Sequence, residues 1–121
     1  MKAAAAEMLT LYGGGSMELK HLNEQEFNTV KNGTKPAMID FFATWCGPCK
    51  MLGPVMEQLA DRYDGKAVVA KVDVDEQQML AIQYGVMSVP TVLFLKNGEE
   101  VGRLVGVQPA ETYAQTLDKL L

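Results

Sequence analysis

Apolar and polar positions change their period several times along the chain, and each change marks an element. Leu52, Val55, Met56, Leu59, Ala60 and Tyr63 recur at spacings of three and four, the stripe of a helix that faces a core. Pro54 lies inside that stripe, where it removes one backbone hydrogen bond and is expected to kink the helix. Ala37–Ala43 (AMIDFFA) is a short, nearly continuous apolar run between Lys35-Pro36 and a cysteine motif, which predicts a buried strand. Ala67–Val74 (AVVAKVDV) predicts a second, β-branched strand, and Thr91–Lys96 and Glu99–Val105 two more. The last two flank Asn97-Gly98, a strong hairpin signal.

Start and stop residues complete the order. A short strand is predicted over Glu18–Leu22. Asn23 with Glu26 three residues on reads as a capping pair, opening a helix to about Asn32 with Phe27 and Val30 inward. Glu76–Tyr84 reads as a short helix closed by Gly85, and a final helix from near Pro109 turns Tyr113, Leu117, Leu120 and Leu121 inward. The order β-α-β-α-β-α-β-β-α implies parallel pairing across the helical crossovers, an antiparallel edge from the hairpin, and an α/β sandwich of three layers around a mixed sheet.

The stretch before this pattern differs. Met1–Ser16 (MKAAAAEMLTLYGGGS) ends in Gly13-Gly14-Gly15-Ser16, the composition of a flexible linker, and Met17 reads as a natural start. Glu7 interrupts the apolar part, so the segment is a poor secretory signal. It reads as an appended peptide ahead of a domain spanning 17–121; a natural leader without function is the alternative. Met1, Ala4, Ala5, Met8, Leu11 and Tyr12 fall near one helical face. A helix so short is marginal alone in water, so order is expected only if that face docks, for instance on a neighbouring copy of an otherwise monomeric domain.

Composition narrows the function. The 121 residues suffice for one domain; 48% are apolar and 21% charged, which excludes a disordered tail, and no apolar run approaches the length of a membrane span. The net charge of −4 makes nucleic acid an improbable partner. There are two cysteines and one histidine, His21, too few for a four-ligand zinc site without carboxylates. His21 reads as a surface or packing histidine.

The two cysteines form Cys46-Gly47-Pro48-Cys49 at a strand-to-helix junction. Pro48 suits a first helical turn, where its missing N–H leaves nothing unpaired. Free N–H donors and the helix dipole stabilise a thiolate there. Cys46, at the tip, is expected to point to solvent and attack; Cys49, one turn in, is expected to be more buried and to resolve. A structural disulfide is the competing reading, but so short a loop contributes only about 2 kcal/mol before strain. A zinc knuckle lacks a second Cys-x-x-Cys. Asp40, mid-strand in an apolar run, is expected to be desolvated, with a raised pKa suited to proton transfer near neutrality; an outward-facing strand Asp is the alternative.

Trp45-Cys46-Gly47-Pro48-Cys49-Lys50 resembles the active-site hexapeptide of the thioredoxin family, and the resemblance extends over Glu18–Leu121. It includes Phe41 and Ala43, Ala70-Lys71-Val72-Asp73, Val89-Pro90-Thr91, Lys96-Asn97-Gly98-Glu99 and Val105-Gly106. The resemblance implies a thioredoxin-like α/β/α sandwich with a central mixed sheet of five strands. It implies that Asp40 lies behind Cys49 and takes its proton, with Lys71 as the lysine paired to Asp40; an ordinary strand lysine is the alternative. It implies that Pro90 is cis and packs on the dithiol, and that the Val89 backbone bonds extended substrate. Trp45, Gly47, Pro48, Met87, Val89, Gly106 and Val107 would rim the dithiol with an apolar patch that docks protein substrates. Lys50 favours the thiolate or is simply solvated. Phe42 stands where the family often has a second Trp, Thr44 where it often has an acid, and Met87-Ser88 differ from some members.

Gly47-Pro48 brings no charge to stabilise the reduced thiolate further, which points to a reductant rather than an oxidant. The expectation is a protein-disulfide reductase with no bound cofactor beyond the Cys46–Cys49 disulfide. Its partners would be disulfide-bearing proteins and, by the resemblance, an NADPH-dependent flavoprotein reductase. The natural compartment is the cytoplasm. A non-catalytic binding module and an oxidase or isomerase are the other readings.

Overall fold

A computed structural model describes residues 19–121. Its elements are α1 (Glu24–Lys31), β1 (Ala37–Phe42), α2 (Gly47–Arg62), β2 (Val68–Asp73), α3 (Gln78–Gln83), β3 (Thr91–Lys96), β4 (Glu99–Val105) and α4 (Ala110–Asp118). Met1–Ser16, with its expected helix and docking, lies outside the described residues.

The sheet runs β2-β1-β3-β4. β1 and β2 are parallel, with Asp40 opposite Lys71. β3 is antiparallel to β1, and β4 to β3. The parallel pairing expected across the crossovers holds, among the four strands, for β1 with β2 but not for β3, because the α3 connection brings β3 back in the opposite direction. The expected first strand is reduced to one parallel bridge, His21 with Lys71, so the sheet has four strands rather than five among the described residues. Leu22 N–H donates to the Lys71 carbonyl and Lys71 N–H to that of Lys20, and among the described residues the pairing goes no further.

Strand alternation divides the core. Met38, Val92 and Phe94 face α2 and α4, packing with Leu52, Met56, Leu59, Tyr113 and Leu117. Ala37, Ile39, Phe41, Leu93 and Leu95 face α1 and α3, packing with Phe27, Leu80 and Ala81. β1 and β3 are thus covered on both sides, which explains why AMIDFF and TVLFL read as apolar runs. β4, at an edge, alternates in exposure. Leu120 is half-buried, but Leu121, expected inward, is exposed because α4 ends at Asp118.

Two local signals held. Asn97 and Gly98 adopt φ values of 54° and 80°, the left-handed pair a two-residue hairpin turn requires. At α1 the Asn23 side chain accepts the Glu26 N–H at 2.8 Å, and the Glu26 carboxylate accepts the Asn23 N–H at 3.0 Å. That bond, with Lys20 beside it, holds the Glu26 carboxyl below its ordinary range.

Asn23→Ala is expected to lower the unfolding free energy by about 1 kcal/mol. Urea unfolding checks this; an unchanged midpoint would show that the cap contributes nothing.

Candidate active site

Three chain segments meet at one end of the sheet. The first is the turn from β1 into α2. Cys46 is the N-cap of α2, in extended backbone at φ −90° and ψ 114°, and its Sγ accepts the N–H of Cys49 at 3.2 Å. Pro48 lies in the first turn and Pro54 inside the helix. Cys46 and Cys49 are joined by a disulfide, their Cα atoms 5.3 Å apart. With that bond made, the expected difference in exposure is not there: Cys46 is 4% exposed and Cys49 5%. The cause is local. Val89 and Phe42 pack against the pair, so the solvent-facing groups of the motif are Trp45, Gly47, Pro48 and Lys50. What separates the cysteines is the backbone: Cys46 Sγ occupies the helix N-terminus and receives an amide hydrogen.

The second segment precedes β3. The Val89-Pro90 peptide bond is cis, and the Val89 carbonyl oxygen lies 3.7 Å from Cys46 Sγ. Pro90 is buried and Val89 half-buried. Thr91 fixes this segment by donating its hydroxyl to the Ser88 carbonyl at 2.7 Å. The third segment follows β4: Gly106, at φ 79°, donates its N–H to the Pro90 carbonyl at 2.8 Å.

Trp45 is 70% exposed, Met87 95% and Val107 42%. Trp45, Val74, Val86, Met87, Ser88 and Val89 line a groove of about 330 Å³ beside the disulfide. Its wall is apolar and open, as the docking of varied polypeptides requires. The Trp45 indole N–H donates to the Asp75 carboxylate at 2.8 Å, so the ring is exposed but held.

Asp40 is 2% exposed, and among the described residues its Oδ1 has no hydrogen-bond partner. On β1 it shares the face of Met38, toward α2 and α4. Burial pushes its carboxyl up to about 7, and the Lys71 charge pulls the other way. That charge acts through space. Asp40 and Lys71 are register partners, but among the described residues they form no ion pair. The Lys71 ammonium instead lies 4.8 Å from the centre of the Phe42 ring. His21 also packs edge-on against Phe42, at 5.3 Å, so the phenyl group at this position is covered on the surface side. The described residues contain no group of three or more His, Cys, Asp or Glu able to hold a metal ion. No helix among them is long and apolar enough to cross a membrane.

Three contacts escaped the sequence reading: Asp75 under Trp45, Thr91 under Ser88, and Tyr113 behind Gly106. Tyr113 donates its hydroxyl to the Gly106 carbonyl. Only it carried a signal, since a tyrosine in a buried helical stripe must find a partner for its hydroxyl.

The model of the thioredoxin family matches residues 18–119. A thioredoxin of Staphylococcus epidermidis is 48% identical over 106 residues, covering 87% of this chain and 100% of that protein. One from Chlorobaculum thiosulfatiphilum is 47% identical over 97 residues, 79% of this chain and 90% of that protein. Among solved structures, a mutant thioredoxin from Halobacterium salinarum superposes with a TM-score of 0.77 at 40% identity, covering 84% of this chain and 88% of that one. A thioredoxin of Malassezia sympodialis does so with a TM-score of 0.77 at 39% identity, over 87% and 91%. With a family match across nearly all the described residues and a cysteine pair at the N-terminus of α2, this chain belongs to the thioredoxin family of thiol-disulfide oxidoreductases.

Proposed function

We propose that the chain is a protein-disulfide reductase in which Cys46 attacks and Cys49 resolves. The observation that carries this reading is the bonded Cys46–Cys49 pair with Cys46 Sγ at the N-cap of α2. In the reduced protein the Cys46 thiolate displaces one sulfur of a substrate disulfide, forming a mixed disulfide and releasing a substrate thiolate. Asp40 takes the Cys49 proton, the Cys49 thiolate attacks Cys46 Sγ, and the second substrate sulfur leaves. Two electrons pass to the substrate and the Cys46–Cys49 disulfide remains. The carboxyl is supported in this role by its burial and by a pKa of about 7, from which it both takes and returns a proton at neutral pH. Lys71 favours the carboxylate form from a distance.

Extended substrate lies on the surface of Trp45, Gly47, Pro48, Val89, Pro90 and Gly106. The Val89 carbonyl lies against Cys46 Sγ, and Gly106 is bonded to the Pro90 carbonyl next to it, which supports this path. An NADPH-dependent thioredoxin reductase returns the disulfide to the dithiol, and the working compartment is the reducing cytoplasm. Residues 17–121 are the redox domain, acting as a monomer. Met1–Ser16 is an attachment, and the reductase reading does not depend on it.

Cys46→Ser is expected to abolish insulin reduction; residual turnover would remove Cys46 from the attacking role. Asp40→Asn is expected to slow resolution of the mixed disulfide about tenfold or more at pH 7 and the first attack by less than about twofold. Rapid-mixing kinetics of the two steps check this, and equal slowing would contradict the role of Asp40. The same carboxyl links stability to pH. Folded, it holds its proton to about pH 7; unfolded, to its ordinary value of 3.8. The stabilisation from that extra proton is present in full below the lower value and is lost as pH rises through the higher one. Oxidised Asp40→Asn should therefore gain on the parent chain as pH rises from 4 to 8, by on the order of 3 kcal/mol in urea unfolding. A difference independent of pH would show that Asp40 titrates as an ordinary carboxyl.

A further inference from the structure

The loop Gly106–Gln108 follows β4 and is tied through Gly106 to the carbonyl of Pro90, the residue after Val89, and its shape is set from behind. Tyr113 is fully buried on α4, and its hydroxyl lies inside the loop. The hydroxyl donates to the Gly106 carbonyl at 3.1 Å and accepts the Gln108 N–H at 3.0 Å. Burial raises the pKa of the phenol, which keeps it protonated and able to donate. On its other side, Gly106 donates its N–H to the Pro90 carbonyl at 2.8 Å. The Gln108 side chain donates to the Val105 carbonyl at 3.0 Å. Four hydrogen bonds therefore fix the residues on either side of Val107. Val107 itself is 42% exposed, and among the described residues neither its N–H nor its C=O has a partner. An exposed backbone with a free donor and acceptor, held between two pinned neighbours, is the edge an extended polypeptide pairs with.

We propose that Tyr113 is the positioning residue of this loop, setting how tightly an extended disulfide-bearing chain is held while taking no part in the sulfur exchange. The inference rests on the reductase reading and deepens it. A short disulfide that reaches only Cys46 has no use for the loop. A protein substrate lies across Val107 and Val89 and depends on their spacing, which the Tyr113–Gly106–Pro90 relay holds.

The test is Tyr113→Phe, which keeps the ring in the core and removes the hydroxyl. In dithiothreitol-driven insulin reduction, KM for insulin is expected to rise about fivefold with kcat within about twofold, the change that follows from losing one net hydrogen bond's worth of positioning. The rate with 5,5′-dithiobis(2-nitrobenzoate) is expected to stay within about twofold. An unchanged KM for insulin, or equal slowing of both disulfides, overturns the proposal. Amide exchange on the parent chain gives a readout independent of the variant's folding. The Gln108 N–H should exchange at least about tenfold more slowly than the Val107 N–H. Equal exchange overturns the proposal. Failure of the parent chain to reduce insulin defeats the reductase reading instead and leaves the loop's amide-exchange result standing.

Discussion

A carboxyl group, one oxygen of it unpartnered among the described residues, is held among apolar side chains in the middle of the sheet. Water would hydrate it; the core does not, and the folded protein meets that penalty by keeping the proton on until near neutral pH. Everything around Asp40 is consistent with tolerating this group rather than neutralising it. Lys71 is near enough to weaken the effect but not to cancel it, because its ammonium rests on Phe42 instead of the carboxylate. A contact ion pair would fix the carboxylate in its charged form and remove its use as a proton carrier at pH 7.

The site is then assembled by backbone more than by side chains. The turn from β1 into α2 delivers Cys46 to a helix N-terminus. The Val89 carbonyl lies against the same sulfur, and the left-handed Gly106 is bonded to the Pro90 carbonyl beside it. Side chains act mainly as props: Thr91 under Ser88, Asp75 under Trp45, Tyr113 under Gly106. The surface left over is apolar and weakly shaped, suited to brief contact with many polypeptides.

Much of this was legible in the residues. The Asn23–Glu26 cap, the Asn97-Gly98 turn and the two-sided burial of β1 are local signals, and local signals survive folding. The motif and Asp40 were legible as chemistry in an apolar frame. What failed depended on distant partners. The direction of β3 is set by how the chain crosses the sheet, not by its own pattern. Among the described residues the first strand is reduced to one bridge at His21. The exposure of Cys46 could not be read from its place at the tip, because Val89 and Phe42 cover the disulfide. Lys71, expected to pair with Asp40, lies opposite it in register, yet its head group rests on a ring rather than on the acid.

The central claim is the division of labour between two cysteines that the folded, oxidised protein buries almost equally. Trapping tests it most directly. Reduced Cys49→Ser, mixed with a disulfide-bearing protein, should accumulate a covalent adduct whose only new bond, by peptide mass spectrometry, is at Cys46. Reduced Cys46→Ser should form none under the same conditions. An adduct through Cys49, or equal adducts from both variants, would contradict the assignment.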